Sequence, residues 1–108
     1  MRLSLRFPLF RRRAPLLEAL FPQIRVGDAR VPVPPAVLRE TRRMQRSGVS
    51  VGEIVETIAR SDWAQSLARA FCLPERQFNK PDSELTPQER ACINTVARRL
   101  AVELLKYG

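Results

Sequence analysis

From Pro34 onward, apolar residues recur at the three- and four-residue spacing that gathers side chains on one face of a helix. One such stripe comprises Val51, Ile54, Val55, Ile58 and Ala59. A longer stripe comprises Ile93, Val96, Ala97, Leu100, Ala101 and Leu104. We expect both stripes to be buried, and the longer one to form the spine of the core.

Capping residues predict where these helices begin. The four predicted helices cover residues 36–46, 50–59, 62–72 and 86–107. Ser50 with Glu53, and Thr86 with Glu89, have the spacing of a capping box, in which each side chain satisfies a backbone donor of the first turn. Ser61 is in position to cap the third helix. The second and fourth helices therefore have the best-defined starts.

The first 33 residues include segments with the shorter period of β-strands. Apolar and polar residues alternate over residues 2–7, which predicts a short strand. Residues 23–33 form two arms around Gly27, which predicts a hairpin with a glycine-led tight turn. Residues 14–21 have room for two helical turns between these segments. A targeting presequence over residues 1–17 is an alternative interpretation of the N-terminal region.

Together these patterns predict a mainly α fold, a compact bundle of four to five helices with a short N-terminal β-hairpin or strand as an optional addition. We expect residues 34–108 to form the helical core domain. Residues 1–33 are then either a basic arm or a small α+β elaboration of that core.

Positive charge is concentrated in the first half of the chain. The net charge is +8, and up to Ser47 eleven arginines face only three acidic residues. The remainder carries eight basic and eight acidic residues and is neutral. This asymmetry predicts a basic surface that meets an anionic partner. The alternative is that arginine simply decorates a solvated surface in a chain that uses it in preference to lysine.

Four arginines have a spacing that places them on one helical face. They are Arg39, Arg42, Arg43 and Arg46, at positions i, i+3, i+4 and i+7. A second candidate is the run Arg11, Arg12 and Arg13 near the N-terminus. Guanidinium groups bind phosphate through two parallel hydrogen bonds, so we predict that both groups contact nucleic-acid phosphates, which positions a protein without reading sequence.

Another candidate nucleic-acid-binding element is the segment VSVGEIVETIARSDWAQSL, residues 49–67. It resembles the helix-turn-helix of recombinases and small repressors. The resemblance covers about a fifth of the chain. It implies that Ile54 and Ile58 pack the first helix and that Leu67 packs the recognition helix. The recognition face would then consist of Asp62, Trp63, Gln65, Ser66 and Arg69. The alternative is a plain buried helix pair, with nucleic-acid contacts made elsewhere.

The chain has no histidine, which removes the commonest general base and metal ligand. We therefore expect no enzymatic activity, no catalytic residue, no metal site and no cofactor. The two cysteines, Cys72 and Cys92, lie far apart among apolar residues. We predict that they are buried free thiols in a reducing cytoplasm rather than a disulfide of an exported protein.

These observations favour a small, non-enzymatic, cytoplasmic protein that binds nucleic acid or acts as a DNA-associated regulator. The alternative is a protein-interaction subunit or adaptor whose basic half docks an acidic partner protein, with homo-oligomerisation through the last helix. A membrane-surface role, suggested by the N-terminal run LSLRFPLFRRR, is the weaker expectation.

Overall fold

The computed structural model describes residues 21–107, and this part of the chain begins with a β-hairpin. Strands β1 (Gln23–Val26) and β2 (Ala29–Pro32) are antiparallel. Gly27 opens the two-residue turn with a φ of 61°, a left-handed conformation that glycine adopts without steric cost. The hairpin predicted over residues 23–33 is confirmed.

Four α-helices follow the hairpin within the described residues. They are α1 (Pro35–Arg46), α2 (Val51–Ala59), α3 (Asp62–Cys72) and α4 (Pro87–Lys106). Two short 3₁₀ turns, Glu75–Gln77 and Asp82–Glu84, shape the connection between α3 and α4. The mainly α fold with a short N-terminal hairpin is therefore confirmed. None of these helices combines the length and the apolar character needed to cross a bilayer.

Several predictions fall on parts of the chain that the structure does not describe. The strand over residues 2–7, the presequence over 1–17 and the arginine run at 11–13 lie outside the described residues. The helix over residues 14–21 also lies outside them, apart from Phe21, which forms a bend.

The predicted caps are present, with one difference. At α4 the Thr86 hydroxyl accepts from the Glu89 amide at 3.1 Å and the Glu89 carboxylate accepts from the Thr86 amide at 2.9 Å, which completes a capping box. At α2 the Ser50 hydroxyl accepts from the Glu53 amide at 3.2 Å, but Glu53 turns to the Ser50 hydroxyl rather than to its amide. The predicted box at α2 is thus only half formed.

Helix α4 is the spine of the core, as its apolar stripe predicts. Helices α2 and α3 and strand β1 all pack against it. Ala97 and Ala101 are fully buried, and their small side chains allow close packing around Leu100. Val51 departs from the prediction, because it is 67% exposed. It is the first residue of α2, one turn before the buried Ile54, so its side chain projects beyond the packed part of the helix.

A disulfide joins Cys72, at the end of α3, to Cys92, in the second turn of α4. The predicted pair of buried free thiols is therefore wrong: Cys92 is exposed and Cys72 is half-buried. The physical reason is tertiary, because packing of α3 on α4 brings the Cα atoms of the two cysteines within 6.2 Å of each other. This is a typical separation for a disulfide. Sequence separation alone did not reveal this proximity.

Candidate anion-binding surface

Helix α1 is oriented by a narrow apolar face. Thr41 and Met44 are buried and Val37 is half-buried on that face. The Thr41 hydroxyl, which would otherwise be an unsatisfied polar group, donates to the Val37 carbonyl oxygen at 2.9 Å. Successive residues of a helix are about 100° apart around its axis. The side of α1 opposite the apolar face therefore carries positions 39, 42, 43 and 46. We call the outer face formed by Arg39, Arg42, Arg43 and Arg46 the arginine ridge.

Arg39 and Arg46 are the freest members of the ridge. Both are exposed, and within residues 21–107 neither forms a hydrogen bond or an ion pair. They lie seven residues apart, or about 10 Å along the helix axis. This separation equals about three base-pair rises along the axis of a duplex, at about 3.4 Å per rise.

Arg43 is exposed but locally neutralised. Its guanidinium forms two hydrogen bonds to the Glu40 carboxylate, from Nε to Oε1 at 3.1 Å and from Nη2 to Oε2. These hydrogen bonds, together with the attraction of the opposite charges, lower the pKa of Glu40 and raise that of Arg43. Both side chains are more than half exposed, so water screens the pair and another anion can exchange with Glu40.

Arg42 has a different role from its three neighbours. It is half-buried, and its Nη2 donates to the carbonyl oxygen of Tyr107 at 3.1 Å. Tyr107 is the C-cap of α4, and the last carbonyls of a helix lack intrahelical donors. Arg42 therefore satisfies the end of the spine helix, a contact that Arg39, Arg43 and Arg46 do not make.

Outside the hairpin and α1, most basic side chains are occupied by the protein itself. Those bonded to carboxylates are Arg69, Lys80, Arg98, Arg99 and Lys106. Arg90 donates to the backbone oxygens of Asp82 and Leu85. The Arg98 hydrogen bond lowers the pKa of Glu56, with a smaller contribution from the nearby Arg60 charge. Uncompensated positive charge is thus concentrated in the first half of the described chain.

The hairpin carries a pair of exposed arginines that the periodicity of the helices does not single out. Arg25 on β1 and Arg30 on β2 are directly opposite each other, and both are exposed. The signal was available, because the two positions are symmetric about the Gly27–Asp28 turn that the sequence predicts.

In the segment that resembles a helix-turn-helix, side chains of the expected recognition face are hydrogen-bonded within the protein. Ile54, Ile58 and Leu67 are buried, as the resemblance implies. However, Trp63 donates from its indole to the Pro32 carbonyl oxygen at 3.3 Å, and Gln65 donates to the Ala59 carbonyl oxygen at 2.7 Å. These side chains would lead the recognition face, so the alternative of a buried helix pair fits the observed contacts better.

Arg69, the last member of that face, is also occupied. Its Nη1 donates to the carbonyl oxygens of Phe78 and Lys80 at 3.0 and 2.8 Å, and its Nη2 pairs with Asp82. These bonds hold the connection between α3 and α4 around one guanidinium. Within residues 21–107, no cluster of three or more histidine, cysteine or acidic side chains has an arrangement suited to a metal ion.

Comparison of the chain with protein families, with curated proteins and with solved structures gave no match. The geometry and charge of the described residues are therefore the basis for assigning a function.

Proposed function

We propose that this protein is a non-enzymatic nucleic-acid-binding protein, DNA-associated and regulatory in role, that contacts phosphates through the arginine ridge. The observation that carries the proposal is the exposure of Arg39 and Arg46, without a partner among the described residues, opposite the buried side of α1. Most basic side chains on the other helices are paired with carboxylates. The unpaired positive charge of the arginine ridge therefore attracts a polyanion.

The ridge is suited to phosphate binding by the chemistry of its side chains. Each guanidinium offers a planar fork that can donate two hydrogen bonds to one phosphate. Arg39 and Arg46 can do so without breaking a contact to residues 21–107, whereas Arg43 first exchanges Glu40 for the ligand. Contacts of this kind fix position and orientation on the backbone, so we expect weak sequence preference.

A second candidate function uses the same surface. The Arg43 guanidinium already binds the Glu40 carboxylate through two hydrogen bonds, which supports an acidic side chain as the ligand of this surface. We propose as the alternative that an acidic segment of a partner protein docks here. Self-association through α4, predicted from its apolar stripe, has less support, because most of that stripe is already buried against α2, α3 and β1.

A cytoplasmic location is part of the main proposal, and the Cys72–Cys92 disulfide stands against it, because such bonds are rare in cytosolic proteins. The accessible Cys72–Cys92 pair provides its test, since structural disulfides persist in oxidising compartments and thiols stay reduced in the cytosol. Cells that produce the protein are quenched in acid and their free thiols are alkylated. The protein is then separated, and the alkylation of its two cysteines is measured. Alkylated cysteines support a cytoplasmic protein, whereas a fully oxidised pair contradicts that part of the proposal.

The proposed function is tested by fluorescence anisotropy with a short labelled DNA duplex and the corresponding single strand at low salt. The variant R39Q/R46Q removes two ridge charges, and R60Q/R76Q is the matched control because it removes two exposed arginines outside the first half. We expect R39Q/R46Q to lose about a hundredfold in affinity and the control to lose less than threefold.

Absence of binding to both nucleic acids at low salt would contradict nucleic-acid binding. Equal losses in the two double variants would show that only net charge matters, and would contradict a localised ridge. Binding of labelled polyglutamate with the same loss in R39Q/R46Q, together with no nucleic-acid binding, would favour the acidic-partner alternative.

A further inference from the structure

The hairpin carries two like charges at the same position on adjacent strands. The register pairs Arg25 with Arg30 and Ile24 with Val31. Ile24 and Val31 are buried against the core, so the alternation of a strand directs Arg25 and Arg30 to the outer face. Within residues 21–107, neither arginine has a hydrogen bond or an ion pair.

The turn determines how close the two arginines are. Gly27 has positive φ and Asp28 does not, which is the pattern of a type II′ turn with Val26 and Ala29 as the closing pair. In a two-residue hairpin the closing pair is hydrogen-bonded, so the next pair, Arg25 and Arg30, is of the non-hydrogen-bonded kind. In such pairs the Cβ atoms lie about 4.5–5.5 Å apart and the side chains are at their closest.

This arrangement has a cost that the protein does not relieve within the described residues. Like charges directly opposite each other destabilise an antiparallel pair. Asp28, the acid in the turn, forms no ion pair with either arginine. An anion bound between the two guanidiniums would remove the repulsion.

The hairpin also holds the pair in place. Val33, just after β2, is buried, and its amide donates to the Pro22 carbonyl oxygen at 2.8 Å. Trp63 of α3 donates to the Pro32 carbonyl oxygen at 3.3 Å, which ties the base of the hairpin to the helices. The backbone that carries both arginines is therefore fixed before any ligand binds, which reduces the entropy lost on binding.

We propose that Arg25 and Arg30 form a clamp for a single phosphate of a nucleic-acid backbone. The inference rests on the proposed function and extends it from the arginine ridge to the hairpin. A backbone phosphate has two non-bridging oxygens, and each of the two forks can donate to one of them, so both guanidiniums can share a single anion. A lipid surface fits less well, because the outer face of the hairpin otherwise carries only Gln23 and the half-buried Pro32.

The test compares R25Q/R30Q with the control R60Q/R76Q in the full chain, using the duplex anisotropy assay and thermal unfolding. For a clamp on one phosphate, we expect R25Q/R30Q to lose about tenfold in duplex affinity at about 50 mM salt, with the log-log salt slope about 0.9 shallower. The melting temperature of R25Q/R30Q should rise in the absence of DNA, because the repulsion is removed. R25K/R30K keeps the charge without the fork, and should retain most of the salt slope but lose affinity.

The outcomes separate the clamp from the ridge. Wild-type binding that R25Q/R30Q and R60Q/R76Q reduce equally would overturn the clamp and leave the ridge proposal standing. R25Q/R30Q could instead melt at a lower temperature or aggregate, while its folded fraction binds the duplex with unchanged affinity. That result would show that the two arginines keep the hairpin soluble, and it would overturn the clamp. Failure of the wild type to bind any nucleic acid would overturn both proposals together.

Discussion

Arg42, in the middle of the arginine ridge, donates to the carbonyl oxygen of Tyr107 at the end of α4 at 3.1 Å. The contact spans 65 residues and joins the helix that carries the ridge to the helix that forms the core. A cation near the C-terminal end of a helix is also favoured by the helix dipole. The contact therefore fixes the outer face of α1 relative to the rest of the molecule.

The first prediction concerns this contact. R42A should lower the free energy of unfolding by about 1–2 kcal/mol, because it removes a charged hydrogen bond to a partly buried carbonyl. R39A, on the exposed side of the same helix, should change it by less than about 0.5 kcal/mol. Urea denaturation of the two variants checks the difference. Equal midpoints would mean that Arg42 contributes nothing to stability.

The second prediction concerns the disulfide. Cys72 and Cys92 are 20 residues apart, so their bond closes a loop that restricts the unfolded chain. C72S/C92S should lower the free energy of unfolding by about 2–4 kcal/mol. Because Cys92 is exposed, a small dithiol should reduce the native protein and give the same loss. The measurement is urea denaturation with and without reductant, and an unchanged midpoint after verified reduction would contradict it.

The third prediction concerns Arg69, which is only 16% exposed and bonds three groups of the α3–α4 connection. R69A removes the donor shared by the Phe78 and Lys80 carbonyls, and should cost about 2–3 kcal/mol. R69K keeps the charge but not the fork, so it should recover only part of the loss. Hydrogen exchange should accelerate in residues 77–85 of R69A. Unchanged exchange there would show that the connection is held by other contacts.

The fourth prediction concerns pH. The Thr86 amide hydrogen bond, and after it the Lys80 ammonium, lower the pKa of Glu89 in the folded protein. A depressed carboxyl pKa contributes stability that is fully present above the unfolded value, about 4.3, and is lost as the pH falls through the folded value. E89Q should therefore be less stable than wild type near neutral pH, with a shallower loss of stability below about pH 4.3.

The control for this experiment is E84Q, at an exposed glutamate without an ion pair within the described residues. Its acid unfolding curve should follow that of the wild type. Parallel acid curves for wild type and E89Q would show that the capping box of α4 does not respond to pH.

The elements of the fold were predictable because their signals are local. Helix α4 begins where Thr86 and Glu89 have capping-box spacing, and the hairpin turns where Gly27 supplies a positive φ. The spacing of the ridge arginines depends on the same local periodicity, since α1 contains all four positions. Each of these features depends on residues within a few positions of one another.

The features that the sequence did not reveal depend on contacts between distant segments. The Cys72–Cys92 bond requires the end of α3 to lie beside the start of α4. Likewise, Arg42 differs from its neighbours only because Tyr107 lies beside it. Local periodicity contains no information on either approach, so it indicated neither the disulfide nor the separate role of Arg42.

The salt dependence of duplex binding by the wild-type protein is the decisive measurement for phosphate recognition by the arginine ridge. If Arg39, Arg43 and Arg46 each neutralise one phosphate, a plot of log affinity against log salt concentration should have a slope of about −2.7, or about −3.6 if the hairpin clamp adds one. A slope near zero, or no binding even at low salt, would contradict phosphate recognition by this surface.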